Sequence, residues 1–298
     1  MDTQQLAGRR YRPRIVDKRL EFLLEASGAV IIEGPRGCGK TMTGLHHCAS
    51  YALIDDPATN HIAKLAPAAV IDGPRPRLLD EWQAAPDLFN LARREVDLAA
   101  APGQFILAGS AVPADSITRH TGAARFLRLR QRTLTLCEKA DYAPVVSLAG
   151  LLQGEPVTPD AGQISYTHVI QNLLTPGFPG FQTGNEQIVL AQLHGYLSEA
   201  ARSDMHRVAD LRVTPLATER LIAAIARSVS GEVSVSALRK DLDTVSPGIS
   251  LPTVTKLLDS LQRIFVVEAV SAWAPRLRSK ARLRVSPKYH LADPGLAI

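Results

Sequence analysis

Gly34-Pro35-Arg36-Gly37-Cys38-Gly39-Lys40-Thr41 is the stretch that most narrows what this chain can fold into. Its glycines let the backbone curl so that several N–H groups face one concavity, which suits an anion. A lysine and a hydroxyl follow at once. The spacing Gly-x-x-x-x-Gly-Lys-Thr is that of a phosphate-binding P-loop, in which Lys40 reaches the β- and γ-phosphates of ATP and Thr41 ligates Mg²⁺. The flanks agree. Gly28-Ala-Val-Ile-Ile-Glu33 is a short β-branched run suited to a buried strand, and Thr41 to Ser50 can continue as a helix. Strand, loop and helix together predict an α/β fold of the P-loop NTPase kind, with a parallel sheet flanked by helices.

Such a site needs an acid beside the loop. Arg77-Leu-Leu-Asp80-Glu81-Trp-Gln83 supplies one after the Pro-rich approach Gly73-Pro-Arg-Pro76. Asp80, at the strand end, is the candidate for holding Mg²⁺, and Glu81 for polarising the attacking water. That pair favours an ATPase over a small-molecule kinase, whose nucleophile is a substrate hydroxyl. A helix from Leu88 to Ala99 leads to a third strand, Gln104-Phe-Ile-Leu107, which ends at Ala108-Gly-Ser110. Ser110, at its tip, is the candidate sensor of the γ-phosphate. Arg119 and Arg125 follow as candidates for an arginine that approaches the γ-phosphate of its own or a neighbouring subunit; a basic surface ribbon is the alternative. Arg128, Arg130 and Arg132 share one parity, so a strand would set them on one face and Leu127 and Leu129 on the other.

Hydrophobic residues at 46% and charged residues at 21% describe an ordinary globular chain of 298 residues. No apolar run reaches membrane-spanning length, and Met-Asp-Thr-Gln-Gln does not open a signal peptide. Three cysteines without metal spacing predict a reduced, cytoplasmic protein. Cys38 sits close to Lys40 in sequence, where either a lowered thiol pKa or a plain small residue fits. His46-His47-Cys48 is no metal site by spacing, because adjacent helix positions point apart.

The C-terminal third reads as a winged helix-turn-helix. Thr218–Ser228 is apolar-periodic, Ser234 can cap a helix over Ala237–Leu242, and Ser250 can cap another that runs to Arg263. A strand from Phe265 to Val270 follows. Arg276, Arg278, Lys280, Arg282 and Arg284 then occupy every second position, with Lys288 beyond. On a strand their spacing is about 6.6 Å, close to the roughly 7 Å between successive phosphates of a nucleic-acid strand. Contact with a DNA backbone, a soluble guarded edge and a protein interface all fit this pattern. The net charge of the whole chain is only +5, so the basic stretch is local.

The chain resembles the prokaryotic "ATP-binding protein" family that joins an AAA+-type ATPase domain to a C-terminal domain of unknown function. The resemblance rests on Gly34 to Thr41, Leu79-Asp-Glu-Trp-Gln83, Ile106-Leu-Ala-Gly-Ser110 and His120-Thr-Gly-Ala-Ala-Arg-Phe126. It continues through Gly177-Phe-Pro179, Phe265-Val-Val-Glu268, Trp273, Arg278-Ser-Lys280 and Ser286 to Leu296. It implies an ATP-binding AAA+-like core and a winged-helix-like module. Ala124 stands where the family has glycine, which weighs against an arginine finger at Arg125. Similar proteins continue past Asp-Pro-Gly-Leu, so the resemblance also implies a shortened chain. The expected organisation is an ATPase domain over 1–140, a linking helical lid over 141–212 and a winged-helix-like module over 213–298. Two functions follow from different classes: an ATP hydrolase whose state regulates contact with DNA or a protein, and an ATP-holding protein without turnover. Oligomeric assembly stays open.

Overall fold

The computed structural model describes residues 11–110, 124–139, 146–157, 165–181, 184–205, 213–273 and 286–298. Its first half runs α1 (Asp17–Ala26), β1 (Ala29–Glu33), α2 (Lys40–His47), β2 (Ser50–Leu53), α3 (Pro57–Leu65), α4 (Pro67–Ile71), β3 (Arg77–Asp80), α5 (Asp87–Ala99), β4 (Phe105–Gly109) and β5 (Phe126–Arg130). The five strands form one parallel sheet in the order β2-β3-β4-β1-β5.

Strand alternation explains why both sheet faces are apolar. Ala29, Ile31, Leu79, Phe105 and Leu107 pack with Leu88, Phe89 and Ala92 of α5. The opposite parity, Val30, Ile32, Leu78, Ile106 and Leu129, packs with Leu20 and Leu23 of α1 and Leu45 of α2. Because β4 lies between β1 and β3, the P-loop strand and the acid strand are not direct neighbours. Registers Glu33↔Gly109 and Asp80↔Ala108 nevertheless bring all three strand ends level.

The second half runs α6 (Leu148–Leu152), α7 (Tyr166–Leu174), α8 (Glu186–Glu199), a π-helical turn (Ala200–Asp204), α9 (Pro215–Arg227), α10 (Val235–Leu242) and α11 (Leu251–Arg263). Strands β6 (Val267–Val270) and β7 (Lys288–Leu291) then pair antiparallel, and a 3₁₀ turn over Pro294–Ala297 follows. Thr214, Ser234 and Ser250 cap the last three helices, accepting from the N–H groups of Ala217, Ala237 and Thr253. Leu221, Ile225, Leu238, Leu242, Val254, Leu257 and Leu261 form the core there. Val189 and Leu193 of α8 join the same core, so this part of the expected lid packs with the C-terminal helices.

Several sequence expectations are corrected. The P-loop helix ends at His47; Cys48 turns extended and β2 begins at Ser50. The strand expected from Phe265 starts at Val267, because Phe265 adopts a left-handed φ of 60° that cannot join a ladder. Of the two leucines that alternate with the β5 arginines, Leu129 is buried and Leu127 is exposed on this edge strand. Arg119 and the alternating stretch Arg276, Arg278, Lys280, Arg282 and Arg284 lie outside the described residues.

Candidate nucleotide site

The P-loop joins β1 to α2 at the carboxyl end of the sheet, where ligands of open α/β sheets gather. Gly37 and Gly39 take φ values of 75° and 100°, a left-handed turn that glycine adopts without strain. Gly34 is glycine for a different reason: a Cβ there would stand 2.0 Å from the Gln131 carbonyl oxygen. Lys40 is buried, and its Nζ donates to the Gly34 and Pro35 carbonyls at 2.9 Å each. The ammonium therefore sits over the loop's own backbone.

Thr41 Oγ1 donates to Asp80 Oδ2 at 2.9 Å. Asp80 is 4% exposed, and burial pushes its pKa up to about 7 against the pull of the Thr41 hydrogen bond; the charges of Glu81 and Asp55 add to the rise and Lys40 opposes it. A buried carboxylate in an acidic neighbourhood, paired with a hydroxyl, is a set of hard oxygen donors. Such a set fits Mg²⁺, whose charge would offset the burial, and the lesser repulsion from Glu81 and Asp55, that raise Asp80.

Glu81 has a left-handed φ of 51°, a strained setting for a side-chain-bearing residue. Its Oε2 accepts from Ser110 Oγ at 3.2 Å and from Gln83 Nε2. Ser110 follows directly on β4, so the intervening strand is what brings it to Glu81. Three strand ends thus gather Lys40, Thr41, Asp80, Glu81 and Ser110.

Other candidates fall elsewhere. Arg125 precedes β5, and its carbonyl accepts from Ala29 N at the amino end of β1. That is one strand length, about 16 Å, from the carboxyl end where the P-loop lies. Its Nε pairs with Asp97 Oδ1 at 2.8 Å, so Arg125 does not reach the P-loop of its own chain. Cys38 is fully buried, and desolvation raises its thiol pKa over the opposing charges of Lys40 and Arg14. The reactive-thiol alternative is therefore corrected in favour of a small packed residue. Lys288 is exposed at the start of β7. Arg36 is exposed on the loop.

Sequence reasoning missed the residues behind the loop. Arg14 is buried and donates through Nη1 to the Cys38 carbonyl at 2.8 Å, through Nη2 to the Arg132 carbonyl at 2.9 Å and through Nε to Glu138 Oε1 at 3.0 Å. Gln131 Nε2 donates to the same Cys38 carbonyl at 3.3 Å. Burial works against the Glu138 carboxylate, but N–H groups of Thr135 and Ile15 and the Arg14 guanidinium hold it below its usual range. From the C-terminal half, the Phe178 ring and Pro179 ring stand 3.7 and 3.6 Å from where Cβ atoms of Gly37 and Gly39 would lie. The only local hint was the Arg-Pro-Arg run ahead of α1, which carries no spacing that points to a P-loop.

Residues 26–137 match the model of an AAA domain, and residues 167–298 match a domain of unknown function, DUF8612. A solved Walker-type ATPase of Pyrococcus abyssi aligns over 96% of this chain and 95% of its own, with a TM-score of 0.52 and 14% identity, a likeness of fold. Uncharacterized proteins of Mycobacterium tuberculosis and Mycobacterium bovis are 26% identical over 283 residues. The match takes in 93% of this chain and 57% of theirs, so the chain spans little more than half the length of these relatives. The geometry and the two domain matches agree: an AAA-type P-loop ATPase domain is followed by a C-terminal domain of unknown function.

Proposed function

We propose that the protein binds ATP with Mg²⁺ at the Lys40 loop and hydrolyses it in the cytoplasm, and that its nucleotide state governs how the C-terminal module meets DNA or a protein partner. The carrying observation is the convergence of Lys40, Thr41, Asp80, Glu81 and Ser110 at the ends of β1, β3 and β4. In this reading the phosphates displace the Gly34 and Pro35 carbonyls from the Lys40 ammonium. Thr41 and Asp80 would hold Mg²⁺, which neutralises charge on the β- and γ-phosphates when bound. Glu81 takes a proton from the attacking water as its oxygen bonds to the γ-phosphorus, and the bond to the β–γ bridging oxygen breaks. Ser110 orients Glu81.

The reading assigns 1–140 to the ATPase, 141–212 to a linking part and 213–298 to a winged-helix-like module. Three capped helices followed by an antiparallel pair support the last. Partner contact is assigned to Arg276, Arg278, Lys280, Arg282, Arg284 and Lys288 on their alternation in sequence.

A second reading is supported by Glu81 itself. Gln83 and Ser110 both engage its carboxylate, an arrangement that also suits a protein which holds ATP without turning it over. Steady-state phosphate release separates the two. Hydrolysis that falls by two or more orders of magnitude in Glu81→Gln, with ATP binding kept, supports the first. Binding without release in the wild type sinks it.

A further inference from the structure

We infer that Arg14 and Gln131 are positioning residues of the nucleotide site: together they grip the Cys38 carbonyl from behind and so aim the Gly39 N–H into the phosphate cradle. The inference rests on the ATP reading above. Across a planar trans peptide, the carbonyl of one residue and the N–H of the next point in opposite directions. Cys38 O is held by two side-chain donors, Arg14 Nη1 at 2.8 Å and Gln131 Nε2 at 3.3 Å. Fixing that oxygen on the rear side leaves the Gly39 N–H facing forward, which is the direction a phosphate oxygen needs.

The grip is rigid because each of its members is tied down independently. The Arg14 guanidinium is also bonded to the Arg132 carbonyl and to Glu138, an ion pair whose two side chains are 5% and 6% exposed. Glu138 in turn accepts from Ile15 N at 2.7 Å and Thr135 N at 2.8 Å. Gln131 N donates to Glu33 O at 2.7 Å, the residue that enters the loop. With Nε2 on Cys38, the Gln131 amide leaves its buried Oε1 without a partner. A buried polar atom left unpaired calls for a reason, and holding the loop peptide is one.

The packing shows how closely this support follows the loop. Arg14 Nη1 and Gln131 Nε2 stand 3.3 and 3.5 Å from where a Gly39 Cβ would project. Gln131 O stands where a Gly34 Cβ would be. The glycines thus admit the backing side chains and the segment after β5 as well as a turn. The guanidinium also brings a fixed positive charge one peptide behind the phosphates without touching them.

The test measures two quantities on the full chain. Affinity for ATP and for inorganic triphosphate, each with Mg²⁺, is read by calorimetry; melting temperature is read without ligand. Arg14→Lys should weaken both ligands about tenfold or more, the scale of a lost charge-assisted hydrogen bond, and Gln131→Leu should weaken both by about threefold to tenfold, the scale of a lost neutral one. Combined, they should weaken binding by less than the product of the single effects, because both hold one peptide. Melting temperatures that fall while the folded protein keeps wild-type affinity for both ligands would reduce the pair to a structural role. Gln131→Leu carries the test if Arg14→Lys does not fold. Lys40→Ala, run alongside, tells the two readings apart: wild-type affinity there removes the ATP site itself, whereas loss there with retention in Arg14→Lys removes only the positioning role.

Discussion

Thr41 and Asp80 meet at the carboxyl end of the sheet, the hydroxyl donating to the carboxylate at 2.9 Å across a separation of 39 residues. This contact joins the P-loop helix to the acid strand although β4 runs between β1 and β3. It also leaves a buried acid whose charge the free protein is poorly equipped to hold.

That acid makes the ligand-free protein respond to pH in an unusual direction. Burial raises Asp80 from 3.8 to about 7, so between those values the folded state keeps a proton that the unfolded state has lost. The stability this contributes is complete below the lower value and is lost as pH rises through the upper one, at most about 4 kcal/mol. Urea midpoints of wild type and Asp80→Asn should therefore diverge across this window, with the wild type losing more as pH rises. Mg²⁺ should restore the wild type at the alkaline end. Parallel curves for the two proteins would mean that Asp80 titrates as an ordinary carboxylate.

Ser110→Ala removes the 3.2 Å bond to Glu81 and leaves the phosphate cradle untouched. Phosphate release should fall about tenfold or more while ATP affinity stays within about twofold, since a loosely held base is a poorer base. Single-turnover kinetics with a matched binding isotherm check this. Equal loss of binding would place Ser110 on the nucleotide instead.

The Asp293 carboxylate ties the C-terminal turn to Gly177, whose carbonyl in turn meets Leu134 just beyond β5. Asp293 is 2% exposed; its Oδ2 accepts from Gly177 N at 2.8 Å and its Oδ1 from Gly295 N at 2.9 Å, while Gly177 O accepts from Leu134 N at 2.7 Å. Asp293→Ala leaves two buried N–H groups without partners and should destabilise the protein by roughly 2–4 kcal/mol. Gly177→Ala should cost about 1–3 kcal/mol, because its Cβ would lie 2.4 Å from the Leu134 carbonyl oxygen. Thermal or urea unfolding reads both.

If the cations of the alternating stretch meet phosphates, binding to duplex DNA should be largely independent of sequence and steeply dependent on salt. Replacing Arg278, Lys280 and Arg282 together by Ser should flatten the slope of log affinity against log salt by about two to three, near 0.9 per phosphate. ATP affinity should not change. A wild type that shows no DNA affinity at low salt leaves the stretch as a soluble edge or a protein interface.

The local parts of the site were legible because their chemistry is written in neighbouring residues. Gly34 to Thr41 is contiguous, Asp80-Glu81 ends an apolar run, and Ser110 follows directly on another. Parallel strands of similar length then bring their ends level. What no run of neighbours announces is which segments pass behind the loop. Arg125 was legible as an arginine near the end of the domain, but only the direction of β5 puts it at the amino end of the sheet, paired with Asp97.

The sequence by itself determined the P-loop, its strand and helix, the acid pair and the capped C-terminal helices, since turns, caps and periodicity depend on residues a few positions apart. Only the tertiary structure decided that β4 separates β1 from β3, that Arg14 and Gln131 hold Cys38, and that Asp293 holds Gly177. Those last contacts span 24, 93 and 116 residues. They arise when packed layers close on one another, and burial then requires each polar group to find whatever partner the fold brings near.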